Sequence, residues 1–354
     1  MKASKSLNRR DFIAVLAAFV AVPSHAANAG GSFAGLCTFS CNLHWQAVRS
    51  KSDGTAFHDV PSFYDYVRKL GADGMQTIFR DLDTETRKAL RTKCERDRSY
   101  LEGDIRFPKS RSELDAFEHE VKATRETGAT VARAVLMGGR RYEVFRSQEQ
   151  FKQFYREAKQ RLELVEPILA KNRLKLAVEN HKDFTLDEQI GLLNGISSEW
   201  IGALVDTGNN IALLDEPHSV VEQLAPYAMS VHLKDMAVQP YADGFLLSEV
   251  PCGTGFLDLQ SMISVLRKAN PAIVFNLEMA TRDPLKVPCL TDAYWSTFPD
   301  RKATHLDAAM KQVDRNPLKQ PTPTISGKPL HRQLAEEESN NQTSLVWMQK
   351  HLST

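Results

Sequence analysis

The sequence lacks an excess of charge of either sign. Lys and Arg number 45 against 44 for Asp and Glu, so the formal net charge is +1. Nucleic-acid and anionic-membrane partners select strongly basic surfaces, so this balance predicts neither partner. Hydrophobic residues at 42% and charged residues at 25% are ordinary for a globular enzyme and can build a sizeable core. The composition favours a small-molecule ligand.

A cysteine-rich metal or disulfide framework is also lacking. The five cysteines show no CxxC spacing, which excludes the usual structural zinc patterns. Cys37 and Cys41 lie too far apart along one extended strand to pair with each other. An odd count predicts no particular disulfide, and we interpret these residues as mostly buried and inert.

A long apolar run is lacking too. The longest N-terminal run, residues 12–22, is too short to span a bilayer, and it follows the pair Arg9-Arg10. Small residues then provide two cleavage sites, Ser24-His25-Ala26 and Ala27-Asn28-Ala29. The pattern predicts a twin-arginine-type signal peptide over residues 1–29, export to the periplasm, and no membrane attachment after cleavage. A Sec signal or an N-terminal anchor is the alternative.

After residue 30, short β-rich runs alternate with longer amphipathic segments, which is typical of parallel strands joined by helices. No GxGxxG follows the first strand, which disfavours an open doubly wound sheet. We predict an α/β fold, a (β/α)8 TIM barrel over residues 30–314. The eight predicted strands are 36–41, 74–79, 131–137, 174–180, 201–206, 230–234, a weak one at 245–250, and 273–279.

The C-terminal segment differs in composition from the rest. Residues 315–329 are rich in Pro, Lys and Thr, which predicts a linker. Residues 330–352 follow with a helical pattern that includes Leu345, Trp347 and Met348 on an apolar stripe. We expect this helical extension to pack on the barrel or on a second subunit of a homo-oligomer.

Four predicted strands end in a metal-binding residue type, and the residues are Glu179, Asp206, His232 and Glu278. The intervals are 27, 26 and 46 residues. We interpret the first two as one βα unit each and the third as two units that pass a seventh strand without a ligand. A barrel brings the carboxyl ends of its strands to one face, so these side chains are expected to converge.

Three carboxylates and one imidazole form an oxygen-rich donor set. Such a set suits Mn²⁺, Mg²⁺ or Co²⁺ better than zinc. Three anions buried together would also repel strongly without a cation between them. The sequence therefore predicts one divalent cation, with Mn²⁺ favoured.

The ordered set Glu-Asn-His, Asp-Thr-Gly-Asn, His-Leu-Lys-Asp, Gly-Thr-Gly and a final apolar-Glu resembles the xylose isomerase-like barrel superfamily, and in particular its sugar phosphate isomerase/epimerase branch. The resemblance covers roughly residues 34–300. It implies one divalent cation, often manganese, and a polyhydroxy-ketone substrate. It also implies that Glu179 and Glu278 are catalytic, each ligating the metal and carrying the proton through an enediolate intermediate.

Two positions depart from the ketose 3-epimerase pattern of this family. The substrate-binding His expected three residues after the metal Asp is replaced by Asn209, and the Arg expected six residues after the metal His is replaced by Val238. Other polar residues near the strand ends could contact substrate instead. The predicted substrate-binding residues are His181, Lys234, Asn209, His44 and Arg282.

The leading function is a metal-dependent isomerase or epimerase acting on a keto-sugar or cyclitol. Export favours unphosphorylated carbohydrate, and elimination from a 3-keto-glycoside or inosose by a lyase or dehydratase is the first alternative. A non-catalytic carbohydrate-binding barrel is the second, although the four intact ligands disfavour it. An AP endonuclease would need more metal ligands and a basic face, so we expect no nucleic-acid partner.

Overall fold

A computed structural model describes residues 34–298, 301–316, 318 and 322–353. The predicted signal peptide, residues 1–29, lies outside these ranges. Among the helices described, none combines the length and the apolar character needed to cross a membrane.

Eight parallel strands close into a barrel. Their order around it is β1-β10-β7-β6-β5-β4-β3-β2, and every pair of neighbours is parallel. The predicted (β/α)8 fold is confirmed. The barrel strands are β1 Ala34–Cys37, β2 Gly74–Thr77, β3 Tyr100–Asp104, β4 Val131–Ala134, β5 Lys175–Glu179, β6 Ile201–Asp206, β7 Ala228–Leu233 and β10 Phe275–Leu277.

Helices follow most of the strands and cover the outside of the barrel. Several begin at a polar N-cap whose side chain accepts a backbone N–H, as Asp83, Ser147 and Asp258 do. The helices are α1 Asn42–Arg49, α2 Val60–Lys69, α3 Thr84–Arg96, α4 Leu114–Glu126, α5 Arg141–Val144, α6 Gln148–Asn172, α7 Leu186–Ile196, α8 Pro217–Leu224, α9 Leu259–Ala269, α10 Asp292–Trp295, α11 Lys302–Arg315 and α12 Leu330–Leu352.

The third barrel strand, β3, is missing from the sequence-based prediction. Its sequence, Tyr-Leu-Glu-Gly-Asp, is too polar to be recognised as a buried strand. Glu102 nevertheless lies inside the barrel at 4% exposure, where it accepts hydrogen bonds from Gln76, Ser230 and Asn276. Satisfied hydrogen bonds let a carboxyl group occupy an interior position that apolar patterning does not reveal.

The predicted seventh barrel strand, residues 245–250, is wrong. It belongs to β9 Gly244–Val250, which pairs antiparallel with β8 Asp235–Tyr241 and β11 Leu285–Val287 in a separate three-stranded sheet. Consequently β7 and β10 are neighbours in the barrel. The 46 residues between His232 and Glu278 therefore contain one βα unit enlarged by a β-hairpin, rather than two units.

The core consists mainly of strand and helix residues packed between the barrel and its helical layer. A second apolar cluster lies around the β8–β9 hairpin and contains Val238, Phe245 and Tyr294. All five cysteines are buried, in agreement with the interpretation of the sequence, and all five are free.

The C-terminal helix α12 packs on the barrel. Its residues Leu345, Met348 and Leu352 are almost fully buried, and all three join the main core. Its Glu337 is completely buried and accepts hydrogen bonds from the backbone N–H groups of Leu43 (2.7 Å) and His44 (3.0 Å).

Those two N–H groups belong to the first turn of α1, which has no capping side chain of its own. Glu337 therefore caps α1 from a segment almost 300 residues away, and its negative charge lies at the positive end of the helix dipole. The His44 Nδ1 lies 2.8 Å from the same carboxylate.

Replacing Glu337 by Ala would leave three buried polar atoms without a partner. We expect Glu337→Ala to lower the free energy of unfolding by about 3 kcal/mol, measured by urea denaturation. Glu338→Gln on the exposed side of the same helix is the control and should change it by less than about 0.5 kcal/mol. Equal stability of the two variants would contradict a capping role for Glu337.

Candidate metal centre

The four predicted ligands converge at the carboxyl end of the barrel. Glu179 ends β5, Asp206 ends β6, His232 lies in β7, and Glu278 directly follows β10. These four strands are consecutive around the barrel, and one ligand atom from each residue lies within 4.8 Å of all the others. All four residues are at most 4% exposed.

Backbone and amide contacts hold the Asp206 carboxylate in place. Its Oδ1 accepts hydrogen bonds from the N–H groups of Gly208 (2.9 Å) and Asn209 (2.8 Å). Asn180 bonds both the N–H and the carbonyl of Asp206, which anchors the end of β6 to the end of β5. The second oxygen, Oδ2, is thereby directed towards the cluster.

His232 presents Nδ1 to the three carboxylates. That atom lies 3.4 Å from Glu278 Oε1, 3.7 Å from Glu179 Oε2 and 3.9 Å from Asp206 Oδ2. It is buried and has no hydrogen-bond partner among the described residues. The other ring nitrogen, Nε2, lies 2.7 Å from the side-chain oxygen of Gln76.

The Gln76 amide is itself oriented by a carboxyl group. Its Nε2 donates to Glu102 Oε2 at 3.0 Å, so its oxygen must face His232 Nε2. The Nε2 of His232 therefore carries the ring proton, which leaves the lone pair of His232 Nδ1 free for a cation. Burial raises the pKa of Glu102, and hydrogen bonds from Ser230, Gln76 and Asn276 oppose that rise.

Two cationic side chains face the carboxylates. Arg133 Nε donates to Glu179 Oε2 at 2.6 Å, and its NH1 donates to Asp104 at 3.0 Å. Lys234 Nζ donates to Glu278 and lies 2.9 Å from Asp206 Oδ2. These contacts offset part of the repulsion among the buried anions.

The three carboxylates differ in pKa because the cations are unevenly shared. Burial, reinforced by Glu278 and Glu179, raises the pKa of Asp206 to about 7 although Lys234 opposes the rise. Burial alone would also raise the pKa of Glu278, but Lys234 and His232 hold it well below the usual value. Burial would also raise the pKa of Glu179, but Arg133, His232 and His181 together lower it.

Cys37 also comes within ligand distance of His232 and Glu278. Burial raises the pKa of its thiol far above the usual value, and Glu278 raises it further. A neutral thiol is a poor ligand for a hard divalent cation, so the donor set consists of the carboxylates and the imidazole.

The donor set fits a divalent cation. Bonds of about 2.1 Å to Mg²⁺ place opposite ligands about 4.2 Å apart, which is compatible with the spacing of these four atoms. The unpartnered His232 Nδ1 is the atom that such an ion would bind. Around such an ion, two carboxylates and nearby ammonium groups could bind and deprotonate a polyhydroxy ketone.

Two predicted substrate residues lie beside this cluster. Asn209 Nδ2 donates to Glu179 Oε1 at 2.8 Å. His181 follows β5, and its Nδ1 is buried without a hydrogen-bond partner among the described residues. Burial, together with Lys182, lowers the pKa of His181 to about 3, so its ring is neutral at physiological pH.

Lys234 and Arg282 also lie at this end of the barrel. Both contact Glu249, Arg282 through NH2 at 2.7 Å and Lys234 at 3.6 Å. The Arg282 side chain is 37% exposed, whereas Lys234 is buried, so Arg282 lies on the outer side of the site. His44 does not join the group, because its ring is buried against Glu337 of α12.

Several residues of the site are absent from the sequence-based prediction. Arg133 and Gln76 lie in the predicted strands 131–137 and 74–79, where a charged or amide residue in a short strand was the available signal. Glu249 lies on the β8–β9 hairpin, in the segment 245–250 that was wrongly predicted as a barrel strand. The others are Lys182, which donates to Asn209 Oδ1, and the exposed Phe39, whose ring centre lies 5.9 Å from the Arg282 guanidinium.

One curated relative is the 3-oxo-isoapionate decarboxylase of Pectobacterium atrosepticum, which is 30% identical over 108 residues. The match covers 30% of this chain and 39% of that protein, so the chain matches about two fifths of the relative's length.

Solved structures show the same fold at low sequence identity. A D-psicose 3-epimerase solved in the presence of D-fructose has a TM-score of 0.54 at 12% identity, with 82% of this chain and 93% of that chain covered. A probable 3-DHS dehydratase of petrobactin synthesis from Bacillus anthracis has a TM-score of 0.52 at 15% identity, with 79% and 98% covered.

The family assignment depends on a longer match. The family model described as xylose isomerase-like TIM barrel matches residues 64–294, about two thirds of the chain. That range contains β2 to β11 and all four clustered residues. The chain therefore belongs to the xylose isomerase-like TIM barrel family.

Proposed function

We propose that this protein is a divalent-metal-dependent isomerase or epimerase that acts on a keto-sugar or cyclitol through an enediolate intermediate. The observation that carries the proposal is the convergence of Glu179, Asp206, His232 and Glu278, with His232 Nδ1 buried and unpartnered among the described residues. A D-psicose 3-epimerase with the same fold, at 12% identity, supports the proposed reaction class.

The cation proposed for this site is Mn²⁺, and Mg²⁺ or Co²⁺ would fit the same donors. When bound, it would polarise a substrate carbonyl and the adjacent hydroxyl, acidify the C–H bond between them, and stabilise the negative charge of the enediolate.

Glu179 and Glu278 are proposed to move the proton. They end β5 and follow β10, with β6 and β7 between them in the barrel, so a substrate bound among the four ligands would have a carboxylate on each side. Arg133 fixes the orientation of Glu179, and Lys234 fixes that of Glu278. One glutamate, as the carboxylate, removes the C–H proton, and the other, as the carboxylic acid, delivers its own proton to the opposite face, which gives epimerisation.

A lyase reaction is the second candidate, favoured by the 30% identity to a 3-oxo-isoapionate decarboxylase over 108 residues. Cleavage of a carboxylate next to the carbonyl leaves its electron pair on carbon and forms the same enediolate. Loss of a leaving group from the neighbouring carbon would instead give elimination from a 3-keto-glycoside or inosose. The three reactions share the site and differ in the bond that breaks.

The cellular location is part of the proposal. Arg9-Arg10, the short apolar run and the small residues before position 30 support export through a twin-arginine signal to the periplasm. Unphosphorylated carbohydrate is the substrate that this location would supply.

Metal binding is the first test. We expect the purified protein to bind about one Mn²⁺ per chain, measured by elemental analysis and calorimetry. Ion at about a hundred times its Kd should stabilise the fold by about 2.7 kcal/mol. Asp206→Asn removes one anionic ligand and should weaken binding at least tenfold.

The control is Asp115→Asn on the exposed surface of α4, which should bind metal like the wild type. Equal, negligible metal content in wild type and both variants would refute the metal site.

Proton exchange is the second test. NMR in D₂O with Mg²⁺-loaded protein and a panel of ketohexoses, inososes and 3-keto-glycosides should show deuterium entering beside the carbonyl of the true substrate. Glu278→Gln should slow that exchange by roughly 10²- to 10⁴-fold, because the amide cannot accept the proton.

The reaction products identified in the same NMR spectra distinguish the isomerase or epimerase from the lyase. A deuterated epimer or isomer supports the leading proposal, whereas release of CO₂ or of the C1 substituent supports the lyase. Exchange at the wild-type rate in metal-loaded Glu278→Gln would remove Glu278 from the catalytic pair.

A further inference from the structure

Lys182 is a buried ammonium whose hydrogen-bond partner is neutral. It lies three residues after Glu179 and is 5% exposed. Its Nζ donates to Asn209 Oδ1. Within the part of the chain that the structure describes, no carboxylate oxygen lies within the 4.0 Å that defines an ion pair for this group. Removing an ammonium from water without a counter-charge is unfavourable, so its position needs an explanation.

Its neighbour Lys234 is in a different situation. Lys234 Nζ contacts Glu278, Asp206 and Glu249, so three carboxylates share its charge. The same Nζ lies 3.4 Å from Asn209 Oδ1. Two ammonium groups thus approach one amide oxygen, and an amide oxygen carries no net charge to offset them.

Asn209 also joins Lys182 to the centre of the site. Its Nδ2 donates to Glu179 Oε1 at 2.8 Å while its Oδ1 accepts from Lys182. One amide group therefore separates the Lys182 ammonium from a proposed metal ligand. A small molecule with its carbonyl at the cation could place another group on Lys182.

The charge balance indicates what that group is. Five carboxylates and four side-chain cations form the connected network, so its net charge is −1. A bound divalent cation would change that net charge to +1. The excess lies on Lys182, because each other cation has a carboxylate partner. The network consists of Glu179, Asp206, Glu278, Asp104 and Glu249 with Arg133, Lys234, Arg282 and Lys182.

We propose that Lys182 binds a carboxylate of the substrate, so that the substrate is a polyhydroxy keto acid rather than a neutral sugar. This inference rests on the proposed function, since it assigns the substrate class of the same site. A monoanion matches the excess of one charge, and a carboxylate accepts the strong, charge-assisted hydrogen bond that the ammonium offers.

A phosphate group fits this position less well. It would bring between one and two negative charges, and sites for it commonly use a free arginine or a row of backbone N–H groups. Arg133 and Arg282 are already paired with carboxylates. The N–H groups of Gly253 and Gly255 both donate to Asp235 Oδ2 at 2.9 Å, so that glycine turn is also occupied.

The protonation state of Lys182 is compatible with this role. Burial, together with Lys234 and Arg282, lowers its pKa to about 8, which leaves the ammonium form in excess at neutral pH. The adjacent Asp183 does not serve as its counter-ion, because its Oδ1 accepts from the Phe184 N–H and burial raises its pKa to about 7.

The test compares an acid and a neutral ligand of the same carbon chain. Calorimetry measures binding of D-gluconate and D-sorbitol to the full-length protein loaded with Mg²⁺, with blank titrations into Mg²⁺ alone. The wild type should prefer the acid. Lys182→Gln keeps a donor for Asn209 but loses the charge, and it should reduce the acid-to-neutral preference by roughly 10- to 100-fold.

Two controls separate charge from structure. Lys171→Met removes a lysine that is 69% exposed on α6, and it should leave the preference unchanged. The Lys182→Gln variant should have the same metal content and melting temperature as the wild type. If either differs, the Lys182→Met variant is used in place of Lys182→Gln. The preference of the wild type for the acid is measured without any substitution, so it does not depend on how a variant folds.

Three outcomes would overturn the inference. Measurable but equal binding of acid and neutral ligand by the wild type would do so, as would an unchanged preference in a metal-loaded Lys182 variant. Tighter, Lys182-dependent binding of D-sorbitol 6-phosphate, which has no carboxylate, would replace the carboxylate by a phosphate. Failure of the metal-loaded wild type to bind either polyol would count against the proposed function itself, which distinguishes the two failures.

Discussion

Three carboxylates buried at one end of a barrel repel each other, and positive charge placed among them lowers the free-energy cost of burying them. Arg133 and Lys234 supply part of it through contacts with Glu179, Glu278 and Asp206. The compensation is incomplete, because the pKa of Asp206 still rises to about 7. This residual instability is the reason to expect a cation, since a divalent ion would stabilise all three anions at once.

The same constraint organises the interior below the site. His232 can bind a cation only through Nδ1, because the Gln76 side chain, oriented by Glu102, occupies Nε2. Glu102 is tolerated in the barrel because three neutral donors surround it. The polar residues of β2, β3, β7 and β10 thus form one hydrogen-bonded layer whose effect is to orient a ligand.

The sequence was sufficient to predict the barrel and the four converging residues, because strand ends at a βα interval must meet on one face. It was not sufficient to count the strands. β3 was missed since Glu102 and Asp104 obscure its apolar pattern, and β9 was misplaced since a hairpin strand and a barrel strand look alike over six residues. Arg133, Lys182 and Gln76 depend on side-chain packing that spacing does not reveal.

A substrate carboxylate on Lys182 would bear on the choice between isomerase and lyase. Decarboxylation moves the negative charge from the carboxylate to the enediolate, so an ammonium that stabilises the carboxylate stabilises the ground state and slows that step. The same ammonium has little effect on a proton transfer between Glu179 and Glu278, because the carboxylate keeps its charge throughout. A carboxylate held by Lys182 therefore favours proton transfer over loss of CO₂ at this site, and the lyase would need the leaving carboxylate to lie elsewhere.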